Sequence, residues 1–218
     1  MVIRKKKQKN VKQGDVDSDK CGDWWAYIAE KSETKLHLAH ATGKRKQEIA
    51  DELMKKVKER GKPLSKDNKA DFVSDGNDQY TKSILKYFDE ETVNYGQLIK
   101  ERKGGRVVKK TRRIVIGSMD EKDIETVYIE RYNLTLRNGI SRLIRETLCF
   151  SKCNDMFDNH LDVYQCYNNL IWINSGLTIK TKKGEMDIKR TLCMAEGITK
   201  HVWTWRELLM FKILPTIN

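Results

Sequence analysis

The chain has 218 residues and a mass of 25.5 kDa, enough for one sizeable hydrophobic core with or without a small appendage. It carries 43 lysines and arginines against 31 acidic residues, a net charge of +12, and no apolar run approaches the length of a membrane span. The basic N-terminus also lacks the apolar stretch of a secretory signal, so we expect a soluble cytoplasmic protein.

The excess of positive charge favours an acidic partner, with nucleic acid first and a membrane surface second. A host with a lysine-rich proteome would also explain the charge. The composition therefore points to a class of partner and does not identify one.

The first third of the chain predicts three strands followed by a helix. Residues 1–3 read as the end of a first strand, and 23–30 and 35–41 read as two strands joined by a turn at 31–34. Residues 44–61 predict a helix with one apolar face, formed by Ile49, Leu53, Met54 and Val57. Gly61 followed by Pro63 marks the end of this helix.

The middle of the chain predicts a short strand at 72–73, a turn at 75–78 and a helix around 84–88. Residues 89–125 show many charges and little periodicity, so we interpret them as an insertion with short strand pieces. A basic run, Arg106–Arg113, lies inside this insertion. It is either a solvated surface loop or a contact with the DNA backbone, and such a contact would be salt-sensitive.

Two longer helices are predicted at 126–147 and 154–173, and a short amphipathic helix in the tail. The order of elements favours an α/β fold, a mixed sheet flanked by helices. We expect a catalytic domain over 1–174, containing the insertion, and a C-terminal tail over 175–218.

The five cysteines are odd in number and widely spread, so we expect reduced and mostly buried thiols. Cys149, Cys153 and His160 are conceivable metal ligands. No second cysteine pair completes a zinc site.

Asp75 is the first candidate site residue because it ends a short apolar strand. Strand ends of an α/β sheet are where ligands usually bind. Asp-Gly is also a common turn, so a purely structural role explains Asp75 equally simply.

Glu130 is the second candidate because it opens the helix in the stretch TVYIERYNLTLRN. An acid in a first helical turn complements the helix dipole, and an ion pair with Arg131 would be worth little. Yet Glu130, Asn133 and Arg137 share one helical face, with Arg142 and Arg145 further along. A carboxylate ringed by arginines suits a site for a metal and a phosphate.

Longer stretches resemble one protein family. VSDGNDQY, YIERYNLTLRNGISRLIRETLCFSK, GITKHVWTWRELL and GDWWAYIAEKSETKL resemble the insertion-sequence-one family of prokaryotic DDE transposases, and the likeness extends over about residues 3–210. The resemblance implies a ribonuclease-H-like fold with a truncated first strand, and two divalent ions, Mg²⁺ or Mn²⁺. It also implies cutting of double-stranded DNA at element ends and joining of the freed 3′ hydroxyls to target DNA.

By the same resemblance, Asp75 and Glu130 are metal ligands and catalytic residues. DNA contacts are expected from basic or polar residues on the Glu130 helix and in the basic run: Arg131, Asn133, Arg137, Arg142, Arg145, Lys109, Lys110, Arg112 and Arg113. A homo-oligomer on DNA within the nucleoid is implied as well.

The sequence departs from the family at its start, where the acid of the first strand would precede Met1. Asp23 is the nearest substitute but opens the second strand; Asp15, Asp17 and Asp19 are weaker. We therefore expect a truncated transposase that is inactive or weak, because displacing the nucleophile by about 1 Å can cost about 100-fold in rate. A non-catalytic DNA-binding remnant is the alternative. A basic structural protein would explain the charge but not the two acids.

Overall fold

The computed structural model describes residues 2–4, 22–144, 149, 151, 153–182 and 186–212. The fold is α/β. The chain divides into two compact units, one formed by Met1–Ala29 with Leu38–Cys153 and the other by Glu30–His37 with Asn154–Asn218. The expected domain boundary after residue 174 stays a prediction, since compact packing does not establish that a unit folds alone.

The first sheet of the larger unit has three strands, β1 (Val2–Arg4), β2 (Gly22–Glu30) and β3 (His37–Gly43), in that order. β1 pairs antiparallel with β2, and Ile3 lies opposite Asp23. The predicted fragment of a first strand and the pair of strands after it are confirmed.

The second sheet is mixed and consists of β4 (Ala70–Asp75), β5 (Val93–Lys103) and β6 (Arg106–Ile116). β4 and β5 run parallel, and β5 and β6 form an antiparallel hairpin. The prediction of short strand pieces over 89–125 was wrong, because each hairpin strand has 11 residues. Backbone pairing sustains these strands without an apolar pattern on their outer part.

Three helices complete the larger unit: α1 (Gln47–Arg60), α2 (Asp78–Tyr87) and α3 (Val127–Gly139). α1 ends as predicted, with the Gly61 amide donating to the Val57 carbonyl at 2.9 Å. One hydrophobic core joins α1 and α2 to both sheets through Tyr27, Ala39, Leu53, Ile84 and Tyr95.

The prediction that the Glu130 helix runs to Thr147 was wrong. α3 stops at Gly139, Ile140 is extended, and a separate 3₁₀ turn covers Ser141–Leu143. The sequence Asn138-Gly139 combines two residues of low helix propensity, which favours the break. Ile140 and Leu143 are nevertheless buried, as their apolar spacing suggested.

The smaller unit contains α4 (Asn154–Cys166), which continues through a π-helical turn at Tyr167–Ile171, then α5 (Leu192–Glu196) and α6 (Trp205–Met210). The predicted second long helix and the tail helix are confirmed. Asn169 is buried but satisfied, because its side chain bonds both the amide and the carbonyl of His37 at 3.1 and 2.9 Å.

The cysteines of the described ranges are all free thiols, but Cys149 and Cys153 are exposed and only Cys193 is buried. The expectation of mostly buried cysteines was therefore wrong for this part of the chain. Burial raises the pKa of the Cys193 thiol to about 11. Within the same ranges, no helix combines the length and apolar character needed to cross a bilayer.

Candidate metal and nucleic-acid site

Asp75 is the last residue of β4 and is exposed. Its Oδ1 accepts the Asn77 amide at 3.3 Å, and Asn77 in turn caps α2 by accepting the amide of Gln79. The strand end is therefore a tight turn that leads directly into a helix. Such a turn leaves most of the carboxylate available to a ligand.

Glu130 lies in the first turn of α3, and its side chain is 55% exposed. Its Oε1 accepts hydrogen bonds from Lys100 on β5 and from the hydroxyl of Thr126, the latter at 2.7 Å. Lys100 also donates to the Thr126 hydroxyl at 3.1 Å. A lysine of the central strand and the residue before α3 therefore fix the position of this carboxylate.

Partial burial raises the pKa of Glu130, but the hydrogen bonds from Lys100 and Thr126 and the charges of Lys100 and Arg102 outweigh it. The net pKa lies below the ordinary value, so the carboxylate is ionised at neutral pH. The cations that act on it come from β5, whereas the sequence had suggested the arginines of its own helix.

Strand register relates the two acids through Lys100. Asp75 lies opposite Leu98 in the parallel pair, and Lys100 is two residues further along β5. With strands about 4.8 Å apart and a rise of about 3.3 Å per residue, the α-carbons of Asp75 and Lys100 are about 8 Å apart. The side chain of Lys100 then reaches Glu130. Lys100 therefore lies near Asp75 in the sheet register and bonds directly to Glu130.

Lys100 and Thr126 are the residues that sequence reasoning missed. Lys100 is one of many lysines in a charged stretch, and nothing in its local pattern separates it from the rest. Thr126 was noted only as the start of a helix. The contacts of Lys100 with Thr126 and Glu130 span 26 and 30 residues of chain, which spacing along one element does not predict.

The predicted polar residues of the Glu130 helix divide into three groups. Arg131 is exposed on α3, while Asn133 and Arg137 are half-buried on the same helix. Arg142 lies in the separate 3₁₀ turn, so it does not extend the face of α3 as predicted. Arg145 lies outside the described residues.

The predicted basic run forms most of β6. Lys109, Lys110 and Arg113 are exposed, and Lys109 lies 3.6 Å from Glu101 across the hairpin. Arg112 is paired with Glu125 and also donates to the carbonyl of Ile124 at 3.3 Å. Arg112 therefore anchors the hairpin to the segment before α3.

The carboxylate oxygens of Asp75 and Glu130 are suitable ligands for Mg²⁺ or Mn²⁺, because both ions prefer carboxylate oxygens and both side chains are open to solvent. In the part of the chain that the structure describes, no three His, Cys, Asp or Glu side chains form a group that could hold a metal. Asp23 lies on β2 as expected, and Asp15, Asp17 and Asp19 fall outside the described ranges.

A comparison with known protein families finds a match for part of the chain. Residues 104–169 match the sequence family described as IS1 transposase. The matched segment is under a third of the chain; it contains β6, α3 and Glu130 but not Asp75. No curated protein and no solved structure matches the chain.

Proposed function

We propose that this chain, whose residues 104–169 match the IS1 transposase family, catalyses metal-dependent cleavage and joining of DNA strands at insertion-sequence ends. The observation that carries the proposal is the bond between Glu130 and Lys100 of β5, the strand that pairs with the strand ending at Asp75 and that continues into a strongly basic hairpin. The proposed fold is ribonuclease-H-like, which agrees with the mixed sheet flanked by helices.

Asp75 and Glu130 are the proposed ligands of a divalent pair. When bound, Mg²⁺ or Mn²⁺ would activate the attacking oxygen and stabilise the leaving oxygen of an in-line displacement at phosphorus. In the first step water breaks a phosphodiester bond and leaves a 3′ hydroxyl at the element end. In the second step that hydroxyl attacks a target phosphodiester, so one P–O bond forms as another breaks.

Lys100 is the proposed positioning residue of this site. Its ammonium holds Glu130 in the ionised form that a metal requires and orients it together with Thr126. Arg131, Asn133 and Arg137 lie on the same helix as Glu130 and are proposed to face phosphates, together with Arg142, Arg145 and the cations of β6. Guanidinium groups suit this role because their donors match phosphate oxygens.

A second candidate is a DNA-binding protein without catalysis. It is favoured by the lack of a third acid beside Asp75 and Glu130 among the described residues. We accordingly propose that catalysis is weak compared with a three-acid site. Assembly of two or more copies on DNA within the nucleoid completes the proposal, because two element ends must be held together.

A strand-transfer assay separates the two candidates. The chain is incubated with labelled duplexes carrying the DNA that flanks its gene, in Mg²⁺, Mn²⁺ or EDTA. We expect products above the EDTA background, and a loss of about 100-fold or more in Asp75→Asn and Glu130→Gln with unchanged DNA affinity. Matched controls are Asp67→Asn and Glu59→Gln, two exposed acids away from the site.

Full activity in Asp75→Asn or Glu130→Gln would contradict the proposed site. DNA binding by the wild type without any metal-dependent product would support the second candidate. Weak products that require both acids would support the first.

A further inference from the structure

The outer part of the β5–β6 hairpin has no packing partner on either face among the described residues. Ten consecutive residues, 101–110, are exposed, and we call this segment the ribbon tip. Side chains of a strand alternate between two faces, so uninterrupted exposure means that both faces are open to solvent. The ribbon tip is therefore a two-stranded arm that extends beyond the core.

The arm ends in a tight hairpin turn. Gly104 and Gly105 form a two-residue loop with φ of +58° and +79°. Positive φ at both positions defines a type I′ turn, which matches the twist of the strands and favours glycine. An added Cβ would meet no atom within 4 Å at either position, so backbone conformation alone requires these glycines.

The arm and the residues that flank it are strongly cationic. Residues 100–113 contain eight lysines and arginines and a single acid, Glu101. Lys103 lies directly opposite Arg106, and Lys100 opposite Lys110. Like charges in opposed positions destabilise a sheet, so this arrangement is unfavourable in the free protein and would be relieved by a polyanion.

Several of these cations are available to a ligand. Within the described ranges, no acidic side chain pairs with Lys103, Arg106, Lys110 or Arg113. The two valines of the arm, Val107 and Val108, are 41% and 60% exposed. The arm therefore presents phosphate-binding cations together with small apolar side chains.

We propose that the ribbon tip inserts into the major groove of duplex DNA. This inference rests on the proposed function and deepens it by assigning the element and the groove. A major groove about 12 Å wide and 8.5 Å deep admits a two-stranded ribbon. Three residues of β5 and five of β6 flank the turn, so the arm is at least about 10 Å long, enough to reach the groove floor. The cations of the arm then contact the phosphates at the groove edges, and the valines contact thymine methyl groups.

The first test measures charge. Fluorescence anisotropy with a short duplex in EDTA, over a range of salt, compares wild type with Lys103→Gln/Arg106→Gln/Lys110→Gln. The control is Lys55→Gln/Lys62→Gln/Lys69→Gln, which removes the same charge from exposed residues elsewhere. The slope of log affinity against log salt is negative. We expect its magnitude to decrease by about 2.7 in the ribbon variant, about 0.9 per lost cation, and to change little in the control. Equal effects of the two triple variants would overturn the proposal.

The second test measures the groove. Duplexes with glucosylated 5-hydroxymethylcytosine have an obstructed major groove, whereas netropsin fills the minor groove of A·T tracts. Wild type should lose at least about tenfold in affinity on the glucosylated duplex and little in netropsin, because only the major groove is occupied. A shortened arm that lacks residues 102–103 and 106–108 keeps the turn glycines, and it should bind both duplexes equally. Stronger inhibition by netropsin would overturn the proposal.

Both tests run without metal, so they do not depend on catalysis. If strand transfer occurs but the arm variants bind DNA like wild type, this inference fails and the proposed function stands. If wild type binds anionic phosphatidylserine vesicles through the arm more tightly than DNA, the arm is a membrane contact and the inference fails.

Discussion

The base and the tip of the β5–β6 hairpin share the same backbone pairing but differ in the exposure and the contacts of their side chains. At the base, Val93, Tyr95 and Leu98 of β5 are at most 1% exposed, and the Tyr95 hydroxyl contacts Ser74 at 2.7 Å. At the tip, both faces of both strands are exposed. Lys100 lies between the two parts, 16% exposed and bonded to Glu130. The comparison teaches that the same two strands are held by the core at one end and left free for a ligand at the other.

The largest expected loss of stability comes from a substitution at the base of the hairpin. Leu98→Ala should lower the free energy of unfolding by about 3 kcal/mol, because it removes buried methyl groups and leaves a cavity. Val108→Ala, at the tip, should change it by less than about 0.5 kcal/mol. Urea denaturation monitored by tryptophan fluorescence measures both. A cost at Val108 close to that at Leu98 would show that the tip is packed like the base.

The next effect concerns the turn of the tip. Gly105→Ala forces a side chain into the left-handed region and should cost about 1 kcal/mol, confined to the arm. Hydrogen exchange should therefore accelerate at the amides of residues 102–107 and stay unchanged in β4. Faster exchange throughout the sheet would mean that tip and base unfold as one unit.

The next prediction concerns Lys100, which lies between the base and the tip of the hairpin, and the test is Lys100→Met. Without this ammonium the pKa of Glu130 should rise, because burial is then opposed only by Thr126 and Arg102. A carbon-detected NMR titration of the glutamate carboxyls measures the change. Lys110→Met, which removes the cation opposite Lys100 on the neighbouring strand, is the control. An equal rise in both variants would show that the general field of the arm, and not the direct contact, controls Glu130.

The smallest effect is the pH dependence of stability. Glu130 has a lower pKa in the folded than in the unfolded protein, so its contribution is present above about pH 4.3 and lost as the pH falls through the folded value. Because the side chain is half exposed, the contribution should be below about 1 kcal/mol. The stability difference between wild type and Lys100→Met should shrink from pH 6 to pH 3. A difference that grows on acidification would contradict the assigned pairing.

The order of strands and helices was predictable, because α1, β2 and β3 carry regular apolar patterns over a shared core. The hairpin was not, because a strand exposed on both faces needs no alternation and its charges look like those of a loop. The glycine pair at 104–105, a strong hairpin signal, was the available clue. Asp75 and Glu130 could be selected from their positions at a strand end and a helix start. Lys100 could not, since its contact depends on strand register.

The proposed function requires that Asp75 and Glu130 bind divalent ions jointly. Iron-directed cleavage of the chain tests it most directly: Fe²⁺ replaces Mg²⁺, peroxide and ascorbate generate radicals at the bound ion, and mass spectrometry locates the breaks. The account predicts breaks near both residues, suppressed by excess Mg²⁺ and absent at both positions in Glu130→Gln. Breaks near only one of the two, or breaks near residue 75 that persist in Glu130→Gln, would contradict it.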